Sequence, residues 1–128
     1  MKIHHVGVAV EDLDTAIDLY TKTFGAQLTH RASNEELDAA FLKAGESEVE
    51  LLQPKHEDTP VGKFLARRGP GLHHIAIAVA DIDAAIAQAR ADGMEMIDHE
   101  PRIGLHGTRI AFIQPKSVGG VLTELVEA

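Results

Sequence analysis

The chain contains no cysteine and no tryptophan, and only one tyrosine and four phenylalanines among its 128 residues. Without thiols there is neither a disulfide framework nor a thiolate metal site, so a bound metal must take its ligands from His, Asp and Glu. Scarce aromatics leave little surface on which nucleobases could stack. No apolar run approaches the roughly 20 residues of a membrane-spanning helix. The first residues enter a strand pattern at once, so neither a membrane segment nor a signal peptide is expected. Positive charge is also short: 12 Lys and Arg stand against 20 Asp and Glu, a net charge of -8, which argues against a nucleic-acid surface. With no sign of export, the cytoplasm is the expected compartment. The apolar share of 45% is that of one soluble domain, residues 1–128, with room for a real core.

What is present is a repeat. Ile3-His4-His5-Val6-Gly7-Val8-Ala9-Val10 returns as Leu72-His73-His74-Ile75-Ala76-Ile77-Ala78-Val79, and in both copies an Asp-Leu-Asp or Asp-Ile-Asp sequence follows. Each alternating stretch reads as a strand, and the amphipathic segment after it as a helix, ending near Phe24-Gly25 in the first copy and running from Asp81 to Asp92 in the second. Three strands are expected after the first helix, at about 26–32, 38–44 and 47–53. Three more are expected after the second, near 94–98, 109–114 and 120–127. The fold class is thus α+β, with two βαβββ modules at about 1–54 and 72–128. The connector 55–71 carries a helix start at Thr59-Pro60 and a stop at Gly69-Pro70-Gly71.

Alternation along a strand puts His5 on one face with Gly7 and Ala9, and His4 on the other with Val6, Val8 and Val10. The second copy sorts its residues likewise, with His74 beside Ala76 and Ala78. Both copies nominate the second histidine, because the face of small residues leaves room above the sheet for a ligand. Carboxylates come from the last strand of each module. Glu124 lies between Leu122 and Val126 on its face, an apolar setting in which a carboxylate needs a balancing charge such as a divalent cation. Glu50 is the counterpart, although Glu48 shares its face and a solvated edge strand is the alternative there. Two imidazoles and two carboxylates would balance a +2 ion and leave two of six coordination positions open.

This pattern resembles the vicinal-oxygen-chelate superfamily over the whole chain. Within it the chain is similar to the methylmalonyl-CoA epimerase family, through Gly104-Leu105-His106-Gly107, Phe112-Ile113-Gln114-Pro115-Lys116 and Gly119-Gly120-Val121-Leu122 leading into Glu124-Leu125. The resemblance implies paired modules forming a curved mixed sheet around a metal cleft, with one divalent ion on His5, Glu50, His74 and Glu124. Cobalt is the first choice, with manganese, nickel, zinc or magnesium as alternatives. It implies a small-molecule acyl-CoA substrate and a homodimer. It also implies acid-base exchange at the carbon between carboxylate and thioester, by Glu124 on one face and a second Glu on the other.

Two departures bear on those roles. Counting back from Phe41 puts Asn34 where the family carries its second Glu, with Glu35 and Glu36 adjacent; a one-residue shift makes Glu35 the base. Where related epimerases often read His-Pro-Lys, this chain has Gln114-Pro115-Lys116. Lys116 is expected to polarise the thioester or hold a carboxylate, or else to be a loop charge. His106 and Gly107 are expected to line the site, with turn chemistry as the other reading of the glycine. Lys63, Arg67 and Arg68 follow helical spacing and could meet coenzyme A phosphates. The competing functions on the same scaffold are glyoxalase I, an extradiol dioxygenase and a metal-free drug-binding protein.

Overall fold

The computed structural model describes all 128 residues and resolves into two compact units, residues 5–73 and residues 1–4 with 74–128. Each is built on one βαβββ module, as the repeat predicts.

In the first unit β1 (Lys2–Ala9, entering the unit at His5) leads to α1 (Leu13–Phe24), then β2 (Gln27–Ser33), β3 (Leu37–Ala44) and β4 (Ser47–Pro54). The strands are ordered β2-β3-β4-β1. Neighbours are antiparallel except β1, which runs parallel to β4 with Gly7 opposite Glu50. The helix starts where Asp12 accepts a hydrogen bond from the Thr15 amide, and it ends at Gly25, whose φ of 65° suits a residue without Cβ. That amide bond holds the Asp12 carboxyl below the ordinary Asp range. Val10, Leu13, Ala40, Leu42 and Leu51 form the core beneath α1, joined by Val8 and Ile17. Each fully buried leucine contributes about 1.5–3 kcal/mol, and this packing fixes which face of the sheet is left for function. The connector forms α2 (Pro60–Arg68), capped by Thr59 with Pro60 in its first turn.

The second unit repeats the order with β5 (Gly71–Val79, within the unit from His74), α3 (Ile82–Ala91), β6 (Arg102–Ile103), β7 (Arg109–Ile113) and β8 (Thr123–Glu127). Its strands are ordered β5-β8-β7-β6, with β5 and β8 parallel. Asp81 caps α3 through the Ala84 amide, as Asp12 caps α1. Ile82, Ile86, Ala111, Ile113 and Leu125 pack between helix and strands.

One element differs from expectation. Residues 94–98 do not form a strand; they touch β7 at a single bridge between Met96 and Ile113. The reason lies in the bonding of Phe112: its amide donates to the Asp98 carboxylate at 2.9 Å. Its carbonyl accepts from both Ile97 and Asp98. A side chain has taken the place of the main-chain acceptor that a regular ladder requires. The strand that does pair there is the two-residue β6.

Candidate functional site

Register assigns side chains to faces. In the first unit His5 and Gly7 of β1, Glu48 and Glu50 of β4, and Phe41 of β3 share the face opposite α1, since residues directly paired across strands point the same way. His5 and Glu50 meet there, Nε2 to Oε1 at 3.4 Å, with side chains 1% and 6% exposed. In the second unit Ala76 lies opposite Glu124 and Phe112 lies opposite Glu124 from the other side. His74 and Glu124 meet at 3.1 Å, with side chains 4% and 7% exposed. Each unit thus holds one buried imidazole–carboxylate pair on the sheet face opposite α1 or α3. These are the four positions the sequence nominated. The residues beside each histidine on that face, Gly7, Ala9 and Ala76, are small, as the sequence sorted them, and Ala9 and Ala76 are fully buried.

Each pair has an aromatic neighbour that alternation alone did not single out. Phe41 and Phe112 occupy equivalent repeat positions, and each lies directly across from its unit's buried glutamate. Phe112 meets His74 edge-on, with ring centroids 5.5 Å apart. On the far side of each phenylalanine sits a nitrogen-rich side chain from the module's second strand. His30 stacks on Phe41 at 5.7 Å and 13°, and the Arg102 guanidinium lies 5.7 Å from the Phe112 ring centre. The signal for this layer was in the sequence as Ala-Ala-Phe-Leu recurring as Ile-Ala-Phe-Ile.

The remaining expected residues fall elsewhere. Glu35 is exposed in the β2–β3 turn. Asn34 beside it is a turn residue, its carboxamide oxygen accepting from the amides of Glu36 and Leu37 at 2.8 and 3.0 Å. The site face of β3 carries Ala39 and Phe41 and no carboxylate. Lys116 lies in a short 3-10 turn, Pro115–Val118, and its exposed ammonium engages Glu95 at 3.0 Å. His106 and Gly107 belong to the β6–β7 turn, where the Gly107 amide donates to the Gly104 carbonyl and a φ of 78° favours glycine. His106 packs edge-on against His4, centroids 5.0 Å apart. Lys63, Arg67 and Arg68 are exposed on α2, as the helical spacing predicts, and Arg68 covers Phe64 at 5.8 Å.

The donor set suits a divalent ion of the hard to borderline kind. Each pair offers imidazole nitrogen and carboxylate oxygen with no sulfur. Burial of all four side chains is costly for carboxylates unless such a charge is supplied.

Comparison with known proteins identifies the family. The family model described as the Glyoxalase/Bleomycin resistance protein/Dioxygenase superfamily matches residues 4–112. The mitochondrial methylmalonyl-CoA epimerase of Dictyostelium discoideum is 36% identical over 98% of this chain and 78% of its own length. A methylmalonyl-CoA epimerase solved with methylmalonyl-CoA and ammonium superposes with a TM-score of 0.94 at 44% identity, covering 98% of this chain and 92% of that one. A variant of the Streptomyces coelicolor methylmalonyl-CoA epimerase in complex with 2-nitronate-propionyl-CoA superposes at 0.95 and 43%, covering 98% and 93%. Fold, repeat and relatives agree: the chain belongs to the glyoxalase/bleomycin resistance protein/dioxygenase superfamily, with methylmalonyl-CoA epimerases among its near relatives.

Proposed function

We propose that the chain is a methylmalonyl-CoA epimerase that interconverts the (R) and (S) thioesters with the help of one divalent ion on His5, Glu50, His74 and Glu124. The observation that carries this reading is the buried His–Glu pair occurring once in each unit at the same repeat position. When bound, the ion would supply Lewis-acid stabilisation of the charge that develops on the substrate's carboxylate and thioester oxygens. Cobalt is our first choice of metal; manganese, nickel, zinc and magnesium fit the same donors.

The chain's own groups move the proton. Epimerisation removes the hydrogen from C2, passes through a planar enolate and returns a proton to the opposite face, so two acid-base groups are needed. Glu124 takes one role: one carboxylate oxygen lies by His74 and the other can face the substrate. Glu35 takes the second; what supports it is the resemblance to the family, with the turn at the start of β3 carrying two carboxylates where the site face of β3 carries none, although Glu48 of β4 also shares that face. Phe41 and Phe112 flank the buried glutamates and keep water from the reacting carbon. In this reading Lys116 would leave Glu95 to reach the thioester oxygen, and the His106-Gly107 turn would border the acyl group. The two units act as one functional domain over residues 1–128. No helix is long and apolar enough to cross a membrane, and we assign the protein to the cytoplasm as a homodimer, an assembly that sedimentation will check. Exposed Leu19 and Phe24 on α1 are apolar surface available for such a contact.

The test is solvent deuterium exchange at C2 of methylmalonyl-CoA, followed by NMR with added cobalt and with chelator. Metal-dependent exchange with inversion is expected, and Glu35→Gln should stop exchange on one face while leaving metal content unchanged. No exchange under either condition would sink the reading. Lactoylglutathione formed from methylglyoxal and glutathione in a parallel assay would favour glyoxalase I instead. Unaltered turnover in Glu35→Gln, with loss in Glu36→Gln, would move the second role by one residue.

A further inference from the structure

The contact between Arg102 and Phe112 has no evident structural purpose, and this is what makes it informative. Arg102 is 56% exposed and pairs through Nε with Asp98 at 3.1 Å. Exposed ion pairs of this kind add between nothing and about 1 kcal/mol to stability. Yet the arrangement is built with care. Asp98 is itself only 17% exposed, and its second oxygen is held by the Phe112 amide of β7. The carboxylate is therefore fixed by the main chain and in turn fixes the guanidinium from its Nε edge. Asp98 takes Nε, which leaves the two terminal amino groups as a parallel fork pointing away from that edge.

Register places the fork. Arg102 lies opposite Ile110 on β7, and Ile110 lies opposite Val126, two residues from Glu124. Arg102 thus shares the face that carries His74 and Glu124. From the guanidinium to the Phe112 ring is 5.7 Å, and from that ring to the His74 imidazole 5.5 Å, so the cation stands at most about 11 Å from the histidine. Apart from Asp98, the acidic group on this face is Glu124, buried beside its imidazole. A planar cation with a free fork, supported on an aromatic ring and held near a buried reaction centre, suits a planar anion.

We propose that Arg102 is the specificity-determining residue that recognises the free carboxylate of the acyl group, through bidentate hydrogen bonds from its terminal amino groups. This inference rests on the epimerase reading. It selects malonyl-type thioesters over simple acyl thioesters, which lack that carboxylate. The phosphates of coenzyme A are the other anions such a fork could bind, but the pantetheine arm carries them far from the reacting carbon.

The test compares wild type, Arg102→Met and Arg102→Lys on methylmalonyl-CoA and on the methylmalonyl-pantetheine thioester, which has the carboxylate and no phosphates. Methionine keeps apolar contact with Phe112 and removes the charge. Losing a charge-assisted hydrogen-bonded contact should lower kcat/KM about 10–100-fold, chiefly through KM, on both substrates alike. Lysine should restore part of it, because a point charge cannot replace the fork. Metal content and unfolding midpoint should not move. A penalty seen with the coenzyme A ester alone would assign the fork to a phosphate and overturn the proposal, as would unchanged kcat/KM on both substrates. A loss of metal or of stability to match the activity would make Arg102 structural and overturn it too. Wild-type inactivity on both substrates would sink the epimerase reading by itself. Malonate binding by calorimetry then decides the role of Arg102 separately: weaker binding to Arg102→Met supports it, and equal binding refutes it.

Discussion

Gly104 opens the turn that separates β6 from β7, and its backbone lies against Ile110. A methyl group at this position would meet Cδ1 of Ile110 at 2.9 Å and Cγ2 at 3.0 Å, inside the optimal separation of about 3.5–4.0 Å for packed carbons. Ile110 is 5% exposed and packs with Ala76 and Val126, so it has little room to give way. Gly104→Ala should therefore destabilise by about 1–3 kcal/mol, the usual cost of overpacking. Ile110→Val removes Cδ1, the nearer atom, and on its own should cost about 0.5–1.5 kcal/mol. The double variant should then be more stable than the sum of the singles, by at least about 0.5 kcal/mol. Relief will be partial, because Cγ2 stays. Urea unfolding with unchanged m-values provides the measurement. Additivity within about 0.3 kcal/mol would refute the claim that close approach to Ile110 is why a glycine stands here. Because Arg102 pairs directly with Ile110, the single variant should also raise KM for the thioester, and the valine should recover it.

Gly62→Ala should cost more than Gly104→Ala, since its new Cβ would overlap the His56 carbonyl oxygen and a backbone atom cannot swing aside; equal unfolding midpoints for the two variants would count against this. Ile82→Ala removes a completely buried side chain between α3 and the sheet and should cost about 2–5 kcal/mol, measured by the same titration. Glu124→Gln keeps shape but not charge, and calorimetric affinity for cobalt should fall at least about tenfold; undiminished affinity would remove Glu124 from the ligand set. The Thr15 amide holds the Asp12 carboxyl below its ordinary range. The stability this contributes is complete above the ordinary Asp value and is lost as pH falls through the lowered one. Asp12→Asn, still a helix cap, should flatten that part of the acid unfolding curve, and a curve of unchanged shape would contradict the assignment.

Much of the architecture could be read from alternation. β1, β3, β4, β5 and the capped helices α1 and α3 follow patterns in which apolar residues meet one face, and the same parity that packs Val8 and Leu51 under α1 turns His5 and Glu50 to the other. β6 escaped because two residues, Arg102 and Ile103, hold no period. Residues 94–98 were misread because Met94, Met96 and Ile97 carry enough apolar character for a strand, while the decisive event is a side-chain bond from Asp98 to the Phe112 amide, which leaves no trace in hydropathy. The Arg102–Phe112 layer was missed for the same reason. It depends on a short strand pairing with a segment seven residues further on, and pairing is a property of register. Asn34 was visible as a departure, but its work as a turn acceptor emerged only from the bonds it makes.

Both first strands carry two adjacent histidines, and the second of each pair meets the buried glutamate of its unit. The choice is not made by the imidazoles, which are chemically identical. It is made by Val8 and the adjoining Val10 at the first strand and Ile77 and Val79 in the other, whose place beneath the helices fixes strand parity. Natural variation at the neighbouring His4 or His73 should therefore leave the two buried His–Glu contacts in place. A mutation that inverts the valine pattern would exchange the roles of two residues it never touches. Inheritance of the buried His–Glu pairs in such a lineage is guarded by its hydrocarbon side chains, and a search for distant relatives should weight those positions as heavily as the histidines themselves.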